Sequence, residues 1–212
     1  MTKALLPPTA TGARARLIEA AGELFGERGY QGATAREITL KAEVNVAAIN
    51  YYFQDKEALY WEVLRHAVQA SLKSDAPFAD ELPAEEKLTA FVTEFLGNML
   101  DPKRPDWHGK LIAREMSSPT RLLDILVESV IRPKGEMIRK VIRELGRFKF
   151  SDEQVALICA SIMGQCLYYR QNRPVVERLY PDLLKGPNSI SRLAQHISRF
   201  SLAAIKGLSD DQ

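Results

Sequence analysis

Cysteine is scarce in this chain, with only Cys159 and Cys166 among 212 residues. Two thiols cannot build a disulfide framework, and a reducing compartment is expected. They stand seven positions apart on one expected helix, about 10 Å by helical rise, which is too far for an intrachain bridge. Small buried apolar side chains are the simplest reading of both, with a redox contact across a dimer seam as the alternative. His66, His108 and His196 have no ligand spacing with one another or with the cysteines, so no metal or cofactor is expected. No stretch reaches the roughly 18 apolar residues of a membrane span. Met1–Pro8 carries no cleavable apolar leader, and a cytoplasmic protein with no membrane partner is expected. β-Branched runs of period two are missing, which removes strands from the expected architecture. There is no Gly-x-Ser-x-Gly elbow and no phosphate-cradling glycine loop. An enzyme would have to rely on His108 and Glu115 as an acid–base pair without a nucleophile.

Charge of one sign is also lacking. The net charge is +2, which does not announce a nucleic-acid binder. In the first part of the chain Lys3, Arg14, Arg16, Arg28, Arg36 and Lys41 are matched by Glu19, Glu23, Glu27, Glu37 and Glu43. A role on DNA must therefore come from local geometry. A helical interaction module without DNA binding is the competing reading.

What the chain does have, almost throughout, is helical periodicity. Residues 1–11 read as a flexible arm. A first helix spans about 12–28, with Leu17, Ala20, Ala21, Leu24 and Phe25 on one face and Gly29 as its stop. Thr34-Ala35-Arg36-Glu37 is a capping box that opens a short second helix to about Lys41. Asn45 is the natural cap of a third, Val46–Tyr52. Asp55 opens a fourth, to about Ser74, and Pro77 and Pro83 then interrupt the pattern. Further helices are expected at 84–101, 106–117, 119–146, 152–172 and 188–207. Pro133 should kink the third of these, and Ser151-Asp152-Glu153-Gln154 caps the fourth. Pro174, Pro181, Gly186 and Pro187 mark an irregular connection. The expected fold is all-α. A three-helix helix-turn-helix domain covers 12–60, a larger helical domain 61–207, and a tail 208–212.

Two short helices across a tight turn suit major-groove entry. Val46, Ala47 and Ala48 keep one side of the second helix small. Asn50 can reach a base edge or a phosphate, and Tyr51 and Tyr52 carry phenols suited to phosphates. Either tyrosine could instead be a core aromatic, and Asn45 could act only as a cap. Arg14 and Arg16 read equally well as a basic arm or as a solvated helix start. Lys56 lies in the first turn of the next helix, where amides attract phosphate.

These segments, Leu24-Phe25-Gly26-Glu27-Arg28-Gly29-Tyr30, Thr34-Ala35-Arg36-Glu37-Ile38, Ala42-Glu43-Val44-Asn45, Ile49-Asn50-Tyr51-Tyr52-Phe53 and Lys56-Glu57-Ala58-Leu59, resemble the TetR family of regulators over about residues 12–65. The resemblance implies an all-α homodimer that binds a pseudo-palindromic double-stranded DNA operator and is released by a small-molecule effector held in the C-terminal domain. Carried over by position, Thr34 and Lys56 match phosphate contacts, and Val46, Ala47, Ala48, Asn50 and Tyr51 match the recognition helix. Ala35, Arg36, Asn45 and Tyr52 complete the expected DNA-facing set. Glu43 stands where the family usually has a turn glycine, and Asn50 where many members have tyrosine. Arg114–Thr120, Val130–Pro133 and Gly164–Tyr169 are similar to the CecR-like subgroup.

Effector contacts are expected from Trp107, His108, Met116, Met137, Gln165 and Tyr169. Such a wall suits a partly apolar compound. The plainer reading makes Trp107 and His108 part of a core helix, and leaves Gln165 and Tyr169 at either pocket or dimer seam. Small residues on the helices at 152–172 and 188–207 suit close packing with a second copy.

Overall fold

The computed structural model describes residues 10–71 and 82–210. The expected arm up to residue 9 and the last two residues of the tail lie outside them. Among the described residues the chain is helical and falls into two compact units. The first holds residues up to Ala70 together with Arg104–Val130; the second holds Ser71–Lys103 and Ile131 onward. The boundary expected at residue 60 falls inside the first unit, which also takes in the helix at 106–117.

The first unit begins with α1 (Ala10–Gly32), broken internally at Gly29, where φ is 75°. Gly29 adopts this left-handed value at little cost for want of a Cβ. α2 (Ala35–Lys41) and α3 (Ala47–Phe53) follow, then α4 (Lys56–Ser71). α6 (Asp106–Ser117) and α7 (Leu122–Leu126) complete the unit. Leu17, Ala21 and Phe25 of α1, Ile38, Ile49, Leu59, Val63 and Leu64 are all buried. Phe25 meets the Tyr60 ring edge-on at 4.9 Å. Residues at i, i+3 and i+4 thus put one apolar stripe inward on each helix.

The second unit is built from α5 (Ala84–Leu100), α8 (Arg132–Leu145), α9 (Asp152–Gln171), α10 (Arg173–Leu179) and α11 (Ser189–Asp210). α5 lies against α8, α9 and α11. Its core includes Leu88, Val92 and Leu96 of α5, Ile138 and Ile142 of α8, Val155 and Ile162 of α9, and Leu193 and Ile197 of α11.

Three boundaries differ from expectation. The helix expected over 119–146 is interrupted: α7 widens into a π-helical turn, Val127–Ile131, before α8 begins. Pro133 sits in the first turn of α8, where its missing N–H costs no helical bond. The segment around Pro174 is not irregular but forms α10, again with proline in the first turn. Finally, α11 continues to Asp210, so the first residues of the expected tail are helical.

Candidate functional site

Thr34 fixes the start of α2. Its hydroxyl accepts from the Glu37 amide at 3.2 Å, and Glu37 Oε2 accepts from the Thr34 amide at 2.9 Å. The Thr34 hydroxyl also donates to that carboxylate at 2.7 Å. Together with Arg28, these bonds hold the exposed Glu37 carboxyl below the usual range, the Thr34 hydroxyl contributing most. Ala35 opens α2. Arg36, one residue on, is exposed and pairs with no other described residue.

α2 ends in a left-handed closure. The Val44 amide donates to Thr39 O at 3.0 Å and the Glu43 amide to Leu40 O at 3.1 Å, the paired bonds of a Schellman motif. Glu43 occupies its glycine position with φ 54°. A Cβ there costs about 1–2 kcal/mol. Arg16 braces the turn from α1, its Nε donating to Ala42 O at 2.8 Å.

Asn45 then turns the chain into α3. Its side-chain oxygen accepts from the Ala47 amide at 2.9 Å, and its carbonyl accepts from Ala48 at 2.9 Å. It thus supplies an Asx turn one residue ahead of the helix cap position, which Val46 occupies. α3 is split by face. Ile49 and Phe53 are buried, while Val46 is 56% and Tyr51 80% exposed. Ala47 and Asn50 are exposed as well, and Ala48 and Tyr52 are half-buried. Tyr52 stands edge-on to Tyr51 at 4.8 Å.

Lys56, expected at a phosphate, lies in the first turn of α4. Its ammonium turns inward, donating to Tyr30 O at 2.8 Å and Ala33 O at 2.9 Å, above the Tyr30 ring. The break at Gly29 leaves carbonyls at the end of α1 without helical partners, and a cation there satisfies them. Other cations are also committed: Lys41 to Glu23 at 2.7 Å, Arg28 to Glu37 at 2.8 Å and Arg14 to Glu62 at 2.8 Å. Burial opposes ionisation of Glu62, but Arg65 and Arg14 outweigh it and hold its carboxyl low.

The six residues expected to meet an effector are divided between the two units. Trp107 is buried in the first, its Nε1 donating to Glu19 at 2.8 Å. His108 is buried beside it and accepts at Nδ1 from Arg104 Nε at 3.1 Å. Both lie in the interior of the first unit. Met116 is 49% exposed. Met137, Gln165 and Tyr169 are half-buried in the second unit. Burial raises the Tyr169 phenol above its ordinary range, and Gln165 donates to Ser161 O on its own helix at 3.3 Å.

Glu115, named from sequence as the acid–base partner of His108, is a buried carboxylate. It accepts from Tyr60 Oη at 2.6 Å and from the Thr120 amide and hydroxyl, both at 2.8 Å. Its partners lie on other segments, so no local spacing signals them. Among the described residues no three His, Cys, Asp or Glu side chains gather to hold a metal ion, and no helix is long and apolar enough to cross a membrane.

Residues 17–63 match the family of bacterial regulatory proteins named after TetR. Residues 84–205 match the C-terminal domain of the helix-turn-helix transcriptional dual regulator CecR. CecR of Shigella flexneri is 31% identical over 179 residues, covering 77% of this chain and 78% of its own. The transcriptional repressor NicS of Pseudomonas putida is 29% identical over 76% of each chain. Among solved structures, a TetR-like regulator from Rhodococcus sp. RHA1 superposes with a TM-score of 0.62 at 16% identity, covering 95% of this chain and all of that one. FadR of Bacillus subtilis, solved with stearoyl-CoA, gives 0.65 at 15% identity, covering 89% and 97%. These relatives are regulators, not enzymes, which sets aside an acid–base role for His108 and Glu115. The chain belongs to the TetR family of DNA-binding transcriptional regulators and carries a CecR-type C-terminal domain.

Proposed function

We propose that the protein is a cytoplasmic repressor whose paired α3 helices enter successive major grooves of a pseudo-palindromic operator. The observation that carries this reading is the division of α3: Ile49 and Phe53 lock it to the core while Val46, Ala47, Asn50 and Tyr51 face outward. Thr34, Ala35 and Arg36 at the start of α2, with Asn45 and Tyr52, flank the groove and meet phosphates. A second copy supplies the other half-site. α9 and α11 suit that contact, since Leu157 and Phe200 are 62% and 60% exposed among small residues such as Ala160, Gly164, Ala203 and Ala204. Release follows when a small-molecule effector, in contact with Met137, Gln165 and Tyr169, binds the two states with different affinity.

The test is binding to duplex DNA from upstream of the protein's own gene, against random duplex, at two salt concentrations. Selective binding that Asn50→Ala and Tyr51→Ala both weaken supports the reading. Because Lys41, Arg28, Arg14 and Lys56 are committed within the protein, the salt dependence should be shallow, with a slope set by few phosphate contacts. Equal binding to all duplexes, unchanged in the variants, would overturn it.

A further inference from the structure

The outward face of α3 is uncharged. From Val46 to Phe53 the chain reads Val-Ala-Ala-Ile-Asn-Tyr-Tyr-Phe, without a charged side chain. In the major groove, guanine is read chiefly by a bidentate Arg or Lys, and cytosine by a carboxylate. α3 offers neither. The side chains it does expose are two small apolar ones, Val46 and Ala47, one amide, Asn50, and one phenol, Tyr51.

The Asn50 amide has no partner among the described residues. A carboxamide presents a donor beside an acceptor, which matches the N7 and N6–H pair of adenine and no other base edge so well. The methyl groups of Val46 and Ala47 are exposed where a thymine 5-methyl could be covered. Burial of Ile49 and Phe53 fixes the rotation of the helix, so these three side chains cannot exchange places. Asn50 follows Val46 and Ala47 by four and three positions, about 4.5–6 Å along the axis. Stacked bases rise about 3.4 Å per step, so the two contacts fall one or two base pairs apart.

We propose that Asn50 reads an adenine in each half-site and that Val46 and Ala47 read a thymine methyl one or two base pairs away. This rests on the operator-binding function proposed above. A guanine contact would have to come from outside α3, with Arg36 on α2 the available guanidinium.

The full chain and its Asn50→Ala variant are each used to select from a random duplex library, with circular dichroism to show that the variant is folded. The expected wild-type consensus holds an adenine whose preference the variant alone loses, while the remaining positions persist. In the selected duplex, 7-deazaadenine at that position, which removes N7, should weaken binding about tenfold. Uracil for the neighbouring thymine, which removes only a methyl, should weaken it about threefold. The inference is overturned if the position lost with Asn50 is guanine or cytosine. It is also overturned if 7-deazaadenine has no effect. Enrichment of no sequence by the wild-type chain would remove the operator-binding function itself, and this inference with it.

Discussion

The Tyr60 hydroxyl donates to Glu115 Oε2 across 2.6 Å, although the two residues stand 55 positions apart. Both are buried, and the same carboxylate gathers two further bonds from Thr120. This joins α4 to α6 and to the start of α7 within one unit. Burial, with the carboxylate adding to it, pushes the Tyr60 phenol far up, so the hydroxyl keeps its proton as donor. Glu115→Ala would strand the buried Tyr60 hydroxyl and two half-buried donors of Thr120 and should cost about 3 kcal/mol, whereas Tyr60→Phe, which leaves Thr120 bonded, should cost about half that. Urea unfolding measures both. A loss under about 1 kcal/mol for Glu115→Ala would mean that water reaches these groups.

Gly22 and Trp107 make the second prediction. A Cβ at Gly22 would fall 2.4–2.6 Å from three atoms of the indole ring. The ring cannot swing away without giving up its bond to Glu19. Gly22→Ala should therefore destabilise by about 2–3 kcal/mol, lowering Tm by about 2–4 °C for each kcal/mol. Thermal unfolding followed by tryptophan fluorescence reads the loss, and an unchanged Tm would show that α6 can retreat from α1.

Glu43 should be improvable. Its φ of 54° suits glycine, and its turn is held by backbone bonds that a substitution leaves in place. Glu43→Gly is expected to stabilise by about 1 kcal/mol, the relief of left-handed strain less the added freedom of the unfolded chain. Calorimetry on the two proteins decides this. Destabilisation would mean that the Glu43 side chain makes a contact worth more than the strain.

Thiol chemistry offers a pH-dependent check. Burial pushes the Cys166 thiol up to about 12 and raises Cys159 as well. A raised acid pKa favours the neutral folded form. The associated stability is whole below the unfolded thiol range, about 8.5, and is lost as pH climbs from there toward the folded value. Native protein at pH 8 should resist an aromatic disulfide reagent at both cysteines and react at both once unfolded. Fast native labelling of Cys166 would contradict its burial.

The local half of this structure was legible because its causes are local. Thr34 with Glu37 and Ser151 with Gln154 form the expected capping boxes, since an amide and an acceptor three residues away meet whatever the rest of the chain does. The strained turn at Glu43 was signalled by the family resemblance, which has glycine at that position. Asn45 was displaced by a single position, within the ordinary imprecision of helix ends.

Residues whose roles depend on distant segments behaved otherwise. Pro133 and Pro174 look like breakers in sequence, yet both occupy first turns of helices, Pro133 directly after the π-helical turn. The sequence by itself determined an all-helical chain and two short capped helices across a tight turn, because periodicity and capping act over a turn or two. Only the tertiary structure decided that Lys56 closes the end of α1, that Trp107 fills the space over Gly22, and that Glu115 is buried with Tyr60. A cation, an indole and a carboxylate go where their partners are, and those partners lie about 20 to 90 positions away along the chain.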